Sequence, residues 1–205
     1  HTPNREAFDL YEWRMARRSL LMKAIFWKNI QVFKALEFRV VPKIEKIITN
    51  SKNSQDRIKR YLGRKSEVVY PGVDYKQFYN QGYEPFIFYP SRITPEKRFE
   101  IAIEAFKRFR DSSPAYSKFK MIIAGSLIPG NRAHFKYYES LRDMIKGYGR
   151  IILNPDWNTM RDLYSRAYTV VFTAINEDFG IVPLEAMASE KPVVSLNEGG
   201  PRETI

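Results

Sequence analysis

Residues 169–196 read TVVFTAINEDFGIVPLEAMASEKPVVSL, and this stretch decides the fold. Thr169-Val170-Val171-Phe172-Thr173 is a short β-branched and aromatic run, the composition of a buried strand. A polar loop follows and closes on Gly180. Pro183 then falls where the first turn of a helix tolerates a missing N–H, and Val182 to Ser189 continues as that helix. Pro192 to Leu196 is a second apolar run. Strand, helix and strand in so short a span make a βαβ unit, whose strands lie parallel and whose crossover is right-handed.

Outward from this unit the same alternation repeats. Phe86 to Tyr89, Lys120 to Ala124 and Ile151 to Leu153 read as strands, and Phe99 to Arg110, Tyr137 to Tyr148 and Thr159 to Arg166 as amphipathic helices between them. The expected architecture is α/β, a Rossmann-like doubly wound parallel sheet. In such sheets ligands bind beyond the carboxyl ends of the strands. The residues just after Tyr89, Ala124, Leu153, Thr173 and Leu196 are therefore where chemistry is sought.

The amino-terminal third is different. Spacing from Phe8 to about Phe38 predicts a long helix with Leu20, Leu21, Ile25, Phe33 and Leu36 recurring on one side. Lys46 to Thr49 reads as a short strand, Ser51 and Gly63 bracket a capped helix through Leu62, and Glu67 to Tyr70 reads as another strand. Asp74 to Pro85, with Gly82 and few apolar residues, is the expected inter-domain connection.

Of the net charge of +11, almost all lies in this part: residues 1–65 hold sixteen Lys or Arg against six Asp or Glu, and the remainder eighteen against seventeen. A basic stretch with Tyr11, Trp13, Phe26, Trp27, Phe33 and Phe38 interleaved suits an anionic surface, lipid or nucleic acid, or simply a solvated helix face.

Composition narrows the chemistry. Hydrophobic residues are 44% and aromatics 15% of the 205, enough for a packed core. No apolar run approaches the roughly 20 residues a spanning helix needs. There is no cysteine, so disulfides, iron–sulfur clusters and thiolate zinc sites are excluded, and His1 and His134 alone do not make a histidine-built metal centre. The chain starts at His1 with no leader-like segment, and the expectation is a piece of a longer protein, cytoplasmic by composition.

Three segments on the expected ligand edge carry chemistry. Pro90-Ser91-Arg92-Ile93-Thr94-Pro95-Glu96-Lys97-Arg98 brings cations just ahead of a helix. Arg92, a planar fork, and Lys97, a mobile point charge, suit a diphosphate whose negative charge grows as it leaves. In Glu177-Asp178-Phe179-Gly180-Ile181-Val182-Pro183-Leu184-Glu185, Gly180 permits close approach and the helix start offers N–H groups to an anion. Glu185 is expected in that first turn, either complementing the dipole or accepting hydrogen bonds from sugar hydroxyls. Asn197-Glu198-Gly199-Gly200-Pro201-Arg202-Glu203 is a glycine-rich turn able to face backbone N–H groups toward a ligand.

These segments together resemble a known family. EDFGIVPLEAMA, in which Glu177 and Glu185 stand eight apart, with KPVV, GGPRE, VYPGVD and SRITPEK, is similar to the retaining GT-B glycosyltransferases of family 4, and the resemblance runs from about Ile47 to the end. It implies transfer of a hexosyl unit, mannose or glucose, from a GDP- or UDP-linked sugar to a glycan or lipid-linked acceptor, without a metal or a resident cofactor. Arg92 and Lys97 would hold the donor diphosphate, Glu185 the ribose, and Glu177 would face the transferred sugar. Phe179, Gly180, Ile181, Val182, Gly199 and Gly200 would line the nucleotide-sugar site.

His1-Thr2-Pro3-Asn4-Arg5 resembles the end of the family's first domain in mannosyltransferase-like members, where such a histidine contacts the sugar. On that basis residues 1–65 are the tail of an acceptor domain near an anionic membrane, and 66–205 a donor domain cut short at its end, so that the piece alone transfers nothing. The pattern departs from the family at Ser91, at Ala124-Gly125-Ser126 and at Glu190-Lys191, where glycines are usual. Two other classes fit parts of the sequence. The basic third alone suits a nucleic-acid-binding module, and the architecture alone suits a phosphorylase-like phosphate-binding domain, although no placed lysine motif supports a pyridoxal cofactor.

Overall fold

The computed structural model describes residues 2–205; His1, the expected sugar contact, lies outside them. The chain divides into two compact units, His1–Pro71 and Gly72–Ile205.

In the first unit the expected long helix is two: α1 (Tyr11–Ala16) and α2 (Leu20–Val40). The break has a side-chain cause. Arg17 donates to the Trp13 carbonyl at 3.1 Å and Arg18 to that of Arg14 at 2.6 Å, so two guanidinium groups take up carbonyls at the end of α1. Ser19 is extended, at φ −67° and ψ 163°, ahead of α2. The buried face of α2 is Phe26 and Ile30, packed with Ala7. Leu20, Leu21, Ile25, Phe33 and Leu36, the expected inner side, are all exposed, Leu20 at 83%. After α2 come β1 (Ile48–Thr49), α3 (Lys52–Leu62) and β2 (Glu67–Val68), with β1 and β2 parallel. Ser51 accepts from the Ser54 N–H at 2.9 Å and Gly63 closes α3 at φ +63°, the two caps the sequence indicates. Asp9, its side chain 5% exposed, takes Arg5 at 3.3 Å and Arg57 at 3.4 Å, fastening α3 to the start of the chain.

The second unit is a five-stranded, all-parallel sheet. Its elements are β3 (Phe86–Pro90), α4 (Phe99–Asp111), β4 (Lys120–Gly125), α5 (Arg132–Ile145), β5 (Gly149–Leu153), α6 (Trp157–Arg166), β6 (Thr169–Phe172), α7 (Ile181–Ala188), β7 (Val193–Ser195) and the short α8 (Pro201–Thr204). The strand order is β5-β4-β3-β6-β7. The chain runs outward from β3 through β4 to β5, then returns to the other side of β3 with β6, so the order reverses between β3 and β6.

Alternation along each strand feeds two cores. Ile87, Tyr89, Met121 and Ile123 pack with Phe99, Ile103 and Phe106 of α4 and Leu141 of α5. Phe86, Phe88, Ile122 and Ala124 pack with Leu163 and Tyr164 of α6 and Ala186 of α7. Helix α5 begins five residues before the apolar period suggests, because Asn131 caps it by accepting from the His134 N–H at 3.1 Å. It also ends earlier, Gly147 turning the chain at φ +80°.

The Asp74–Pro85 stretch is docked on this unit. The Gln81 and Glu84 N–H groups donate to the carbonyls of Ser165 and Arg166 at 2.9 and 2.8 Å. Lys191, 2% exposed, reaches Asn80 at 2.6 Å and the Gly82 carbonyl, while Tyr83 bonds the Glu190 carbonyl at 3.1 Å. Glu190-Lys191, where the resembled family usually carries glycine, is thus a clamp on this segment, Glu190 taking the left-handed conformation at φ +57°.

Candidate active site

The carboxyl ends of β3 and β4, beside the switch point, are built from close backbone contacts. An ideal Cβ on Gly125 would lie 1.7 Å from the Ser91 carbonyl oxygen, so only glycine lets the ends of β3 and β4 lie this close. The ladder continues across it: the Ser91 N–H donates to the Ala124 carbonyl at 3.0 Å and Ile93 to that of Ser126 at 2.9 Å. This fixes the Ser91-Arg92 turn. The Arg92 guanidinium is exposed and has no protein partner among the described residues.

Arg92 faces a cleft of about 260 Å³ lined also by Ser91, Ser126, Asn154, Met160, Val182 and Glu185. Of the expected site residues, Arg92, Val182 and Glu185 line this cleft.

Glu185 is not in the first turn of α7. It is the fifth residue of that helix, whose first turn holds no acid. Its Oε2 accepts a 2.6 Å hydrogen bond from the Tyr164 hydroxyl. Burial pushes its carboxyl above the usual range, and the Tyr164 bond works in the opposite direction. Tyr164, wholly buried, has its phenol pushed well up by the same burial and by the neighbouring carboxylate.

Lys97 and Glu177 form a second group. Lys97 Nζ lies 2.6 Å from Glu177 Oε2, the side chains 10% and 22% exposed, and 5.5 Å from the centre of the Phe172 ring. The loop carrying Lys97 is held by a buried network. Tyr89 donates its hydroxyl hydrogen to the Lys97 carbonyl and accepts from the Thr173 N–H at 3.1 Å, while the Thr173 hydroxyl bonds the Lys97 carbonyl at 3.1 Å. Arg98, the third cation of the segment, is engaged with protein groups through two of its nitrogens. It donates to the Thr173 carbonyl at 3.0 Å and to Glu198, which also accepts from the Asn176 N–H at 3.1 Å.

Gly199 and Gly200 pack beneath the Glu177 loop. A Cβ on Gly200 would lie 2.3 Å from the Phe179 Cα, and one on Gly199, at φ +67°, 2.6 Å from the Glu177 nitrogen. The Gly200 N–H donates to the Glu177 carbonyl at 2.7 Å, so it bonds the loop and not a ligand. Gly180 opens α7 at φ +86° with no side-chain cap. Phe179 is buried and Ile181 is 38% exposed.

Tyr164, Asn154, Met160 and the Arg98–Glu198 clamp carry no sequence signal of their own. Their partners lie far away in the chain, and only the assembled sheet brings them together.

Fold and site together define a doubly wound α/β domain with a cation and a half-buried carboxylate in one cleft at its switch point. The family model "Glycosyl transferases group 1" matches residues 74–205, and the chain belongs to that family. Among its relatives is the alpha-1,3/1,6-mannosyltransferase ALG2 of Saccharomyces cerevisiae, 27% identical over 93% of this chain and 45% of the relative. The Neurospora crassa alpha-1,3/1,6-mannosyltransferase is 30% identical over 69% of this chain and 38% of its own length. The chain thus spans about half or less of these relatives.

Similar solved structures include Anabaena Alr3699/HepE in complex with UDP-glucose, with a TM-score of 0.69 and 20% identity over 85% of this chain and 51% of that one. The sucrose-phosphate synthase of Thermosynechococcus elongatus has a TM-score of 0.66 and 21% identity over 92% of this chain and 47% of that one. These two likenesses establish the fold.

Proposed function

We propose that this protein transfers a mannosyl unit, with retention, from a nucleotide diphosphate sugar to a glycan or lipid-linked acceptor. The observation that carries this reading is the cleft at the β3–β6 switch point, where the unpaired Arg92 and the Glu185 carboxylate face the same space. One suits a phosphate and the other a vicinal pair of ribose hydroxyls. The mannosyltransferase relatives support the sugar; guanosine diphosphate is the carrier we propose for it. The basic surplus of residues 1–65 and the exposed apolar side chains of α2 support an acceptor at an anionic membrane surface, met from the cytoplasmic side. No helix of the described residues is long and apolar enough to cross a membrane.

In this reading Arg92 and Lys97 neutralise the diphosphate as the bond from the anomeric carbon to its oxygen lengthens. Lys97 is held ready by Glu177, which steadies the sugar while positive charge develops at its anomeric carbon. The acceptor hydroxyl forms the new bond on the face the diphosphate leaves, and its proton passes to the departing phosphate oxygen. Protein residues supply the positive charge in this scheme.

Calorimetric titration with GDP, UDP, GDP-mannose and UDP-glucose tests the donor site. Saturable binding of guanosine compounds, weakened by Arg92→Ala, is the expected result. Preference for uridine compounds overturns the choice of base, and binding indifferent to Arg92→Ala overturns the site.

A further inference from the structure

We propose that Tyr164 is a positioning residue for Glu185: its hydroxyl fixes one oxygen of the carboxylate so that the other faces the cleft and takes the ribose hydroxyls. The inference rests on the donor-site reading of Glu185 and extends it to a residue on a different helix. Tyr164 belongs to α6 and Glu185 to α7, neighbouring helices on one face of the sheet. The tyrosine ring is held edge-on by Phe88, with centroids 5.1 Å apart at 83°, and by Phe78, 5.9 Å apart at 81°. A tyrosine side chain has two carbon–carbon torsions, and packing of its ring against two aromatics in a dense core fixes where its oxygen sits. Glu185 by contrast has a flexible stem, and its conformation is set by whatever it bonds.

The Tyr164 contact is the single hydrogen bond of the Glu185 side chain to protein among the described residues, at 2.6 Å to Oε2. Its other oxygen has no protein partner among the described residues, while the residue lines the cleft that Arg92 also lines. A carboxylate tied at one oxygen to a buried, rigid donor keeps the other aimed, so less freedom is lost when a ligand hydroxyl arrives.

The electrostatics agree with this geometry. Burial favours the protonated carboxyl, and the Tyr164 hydroxyl bond pulls the balance back toward the carboxylate that accepts from two hydroxyls. Among the described residues, the titratable group that bonds Glu185 is Tyr164 from α6, and the charged group that lines the cleft with it is Arg92 from the β3–α4 loop.

The test is titration of the 205-residue chain and its Tyr164→Phe variant with GDP and with 2′,3′-dideoxy-GDP, from pH 5 to 8, beside thermal melts. Phenylalanine keeps the ring and its aromatic contacts. Expected are a roughly five- to tenfold weaker GDP affinity in the variant, an acid limb of binding displaced to higher pH, and no change for the dideoxy nucleotide. Equal weakening of both nucleotides means a merely structural tyrosine and overturns the proposal. Unchanged GDP affinity overturns it as well, when the wild-type chain still prefers GDP over the dideoxy form. A wild-type chain that binds the two equally, or a folded one that binds neither these nor UDP, removes the donor-site reading and this inference with it.

Discussion

Gly125→Ala puts the switch-point geometry to a steric test. The new Cβ would lie 1.7 Å from the Ser91 carbonyl oxygen and 2.7 Å from its carbon, whereas real contacts stay beyond about 3.0 Å. The ends of β3 and β4 must therefore part by at least about 1.3 Å. Two ladder bonds of 3.0 and 2.9 Å, Ser91 to Ala124 and Ile93 to Ser126, stretch past useful length. At about 1 kcal/mol each, plus about 1 kcal/mol of strain in the packed edge, the loss is roughly 3 kcal/mol. For a unit of this size that is about 10 °C in melting temperature. The turn that moves carries Arg92, so nucleotide affinity falls as well. Differential scanning calorimetry and titration with GDP read both effects, with Gly72→Ala as a control, since a Cβ there meets nothing within 4 Å. A Gly125→Ala chain that melts within 2 °C of the wild type and binds GDP equally well refutes the reasoning.

Glu185→Gln is expected to raise stability at neutral pH while weakening GDP about fivefold, since a charged acceptor becomes a neutral one. The sign follows from burial: the native carboxyl holds its proton to higher pH than the unfolded one, so stability falls as pH rises above the ordinary carboxylate range. The variant's lead in melting temperature therefore closes as pH falls toward 4, and a lead that grows toward acid contradicts this. Lys97→Met takes from the Glu177 carboxylate, whose side chain is 22% exposed, its 2.6 Å ion pair; a loss of about 2 kcal/mol is expected by calorimetry, and a smaller one for Glu177→Gln, which still accepts from Lys97. Asp9→Ala leaves Arg57, whose side chain is 5% exposed, without that partner, and the first unit should lose about 3 kcal/mol in urea titrations; an unchanged midpoint would show the cluster to be dispensable.

The sheet was legible because each of its strands is a short apolar run between turn residues. Phe86-Ile87-Phe88-Tyr89 and Met121-Ile122-Ile123-Ala124 declare themselves by composition, and with five such runs alternating with helices the doubly wound arrangement follows. Helix ends were less legible. The apolar period of α5 starts after its cap at Asn131, and the break at Arg17-Arg18 depends on guanidinium groups folding back onto carbonyls, which periodicity does not encode. The exposed Leu20 and Leu21 show the limit of an apolar stripe, which identifies a face without showing what covers it.

At the site, Arg92, Lys97, Glu177 and Glu185 stand out by type and place. Their pairing does not: Lys97 meets Glu177 across 80 positions and Glu185 meets Tyr164 across 21. Gly199 and Gly200 were readable as a turn, while their work, admitting the Glu177 loop at backbone distance, needed the structure.

The central claim is that the cleft holding Arg92 and Glu185 binds the nucleotide of a sugar donor. The most direct measurement is calorimetric titration of GDP into the wild-type chain and into an Arg92→Ala, Glu185→Gln double variant whose fold is verified by circular dichroism. The account predicts saturable one-to-one binding to the wild type and a loss of at least about fiftyfold in the double variant. Equal binding by both folded chains would contradict it.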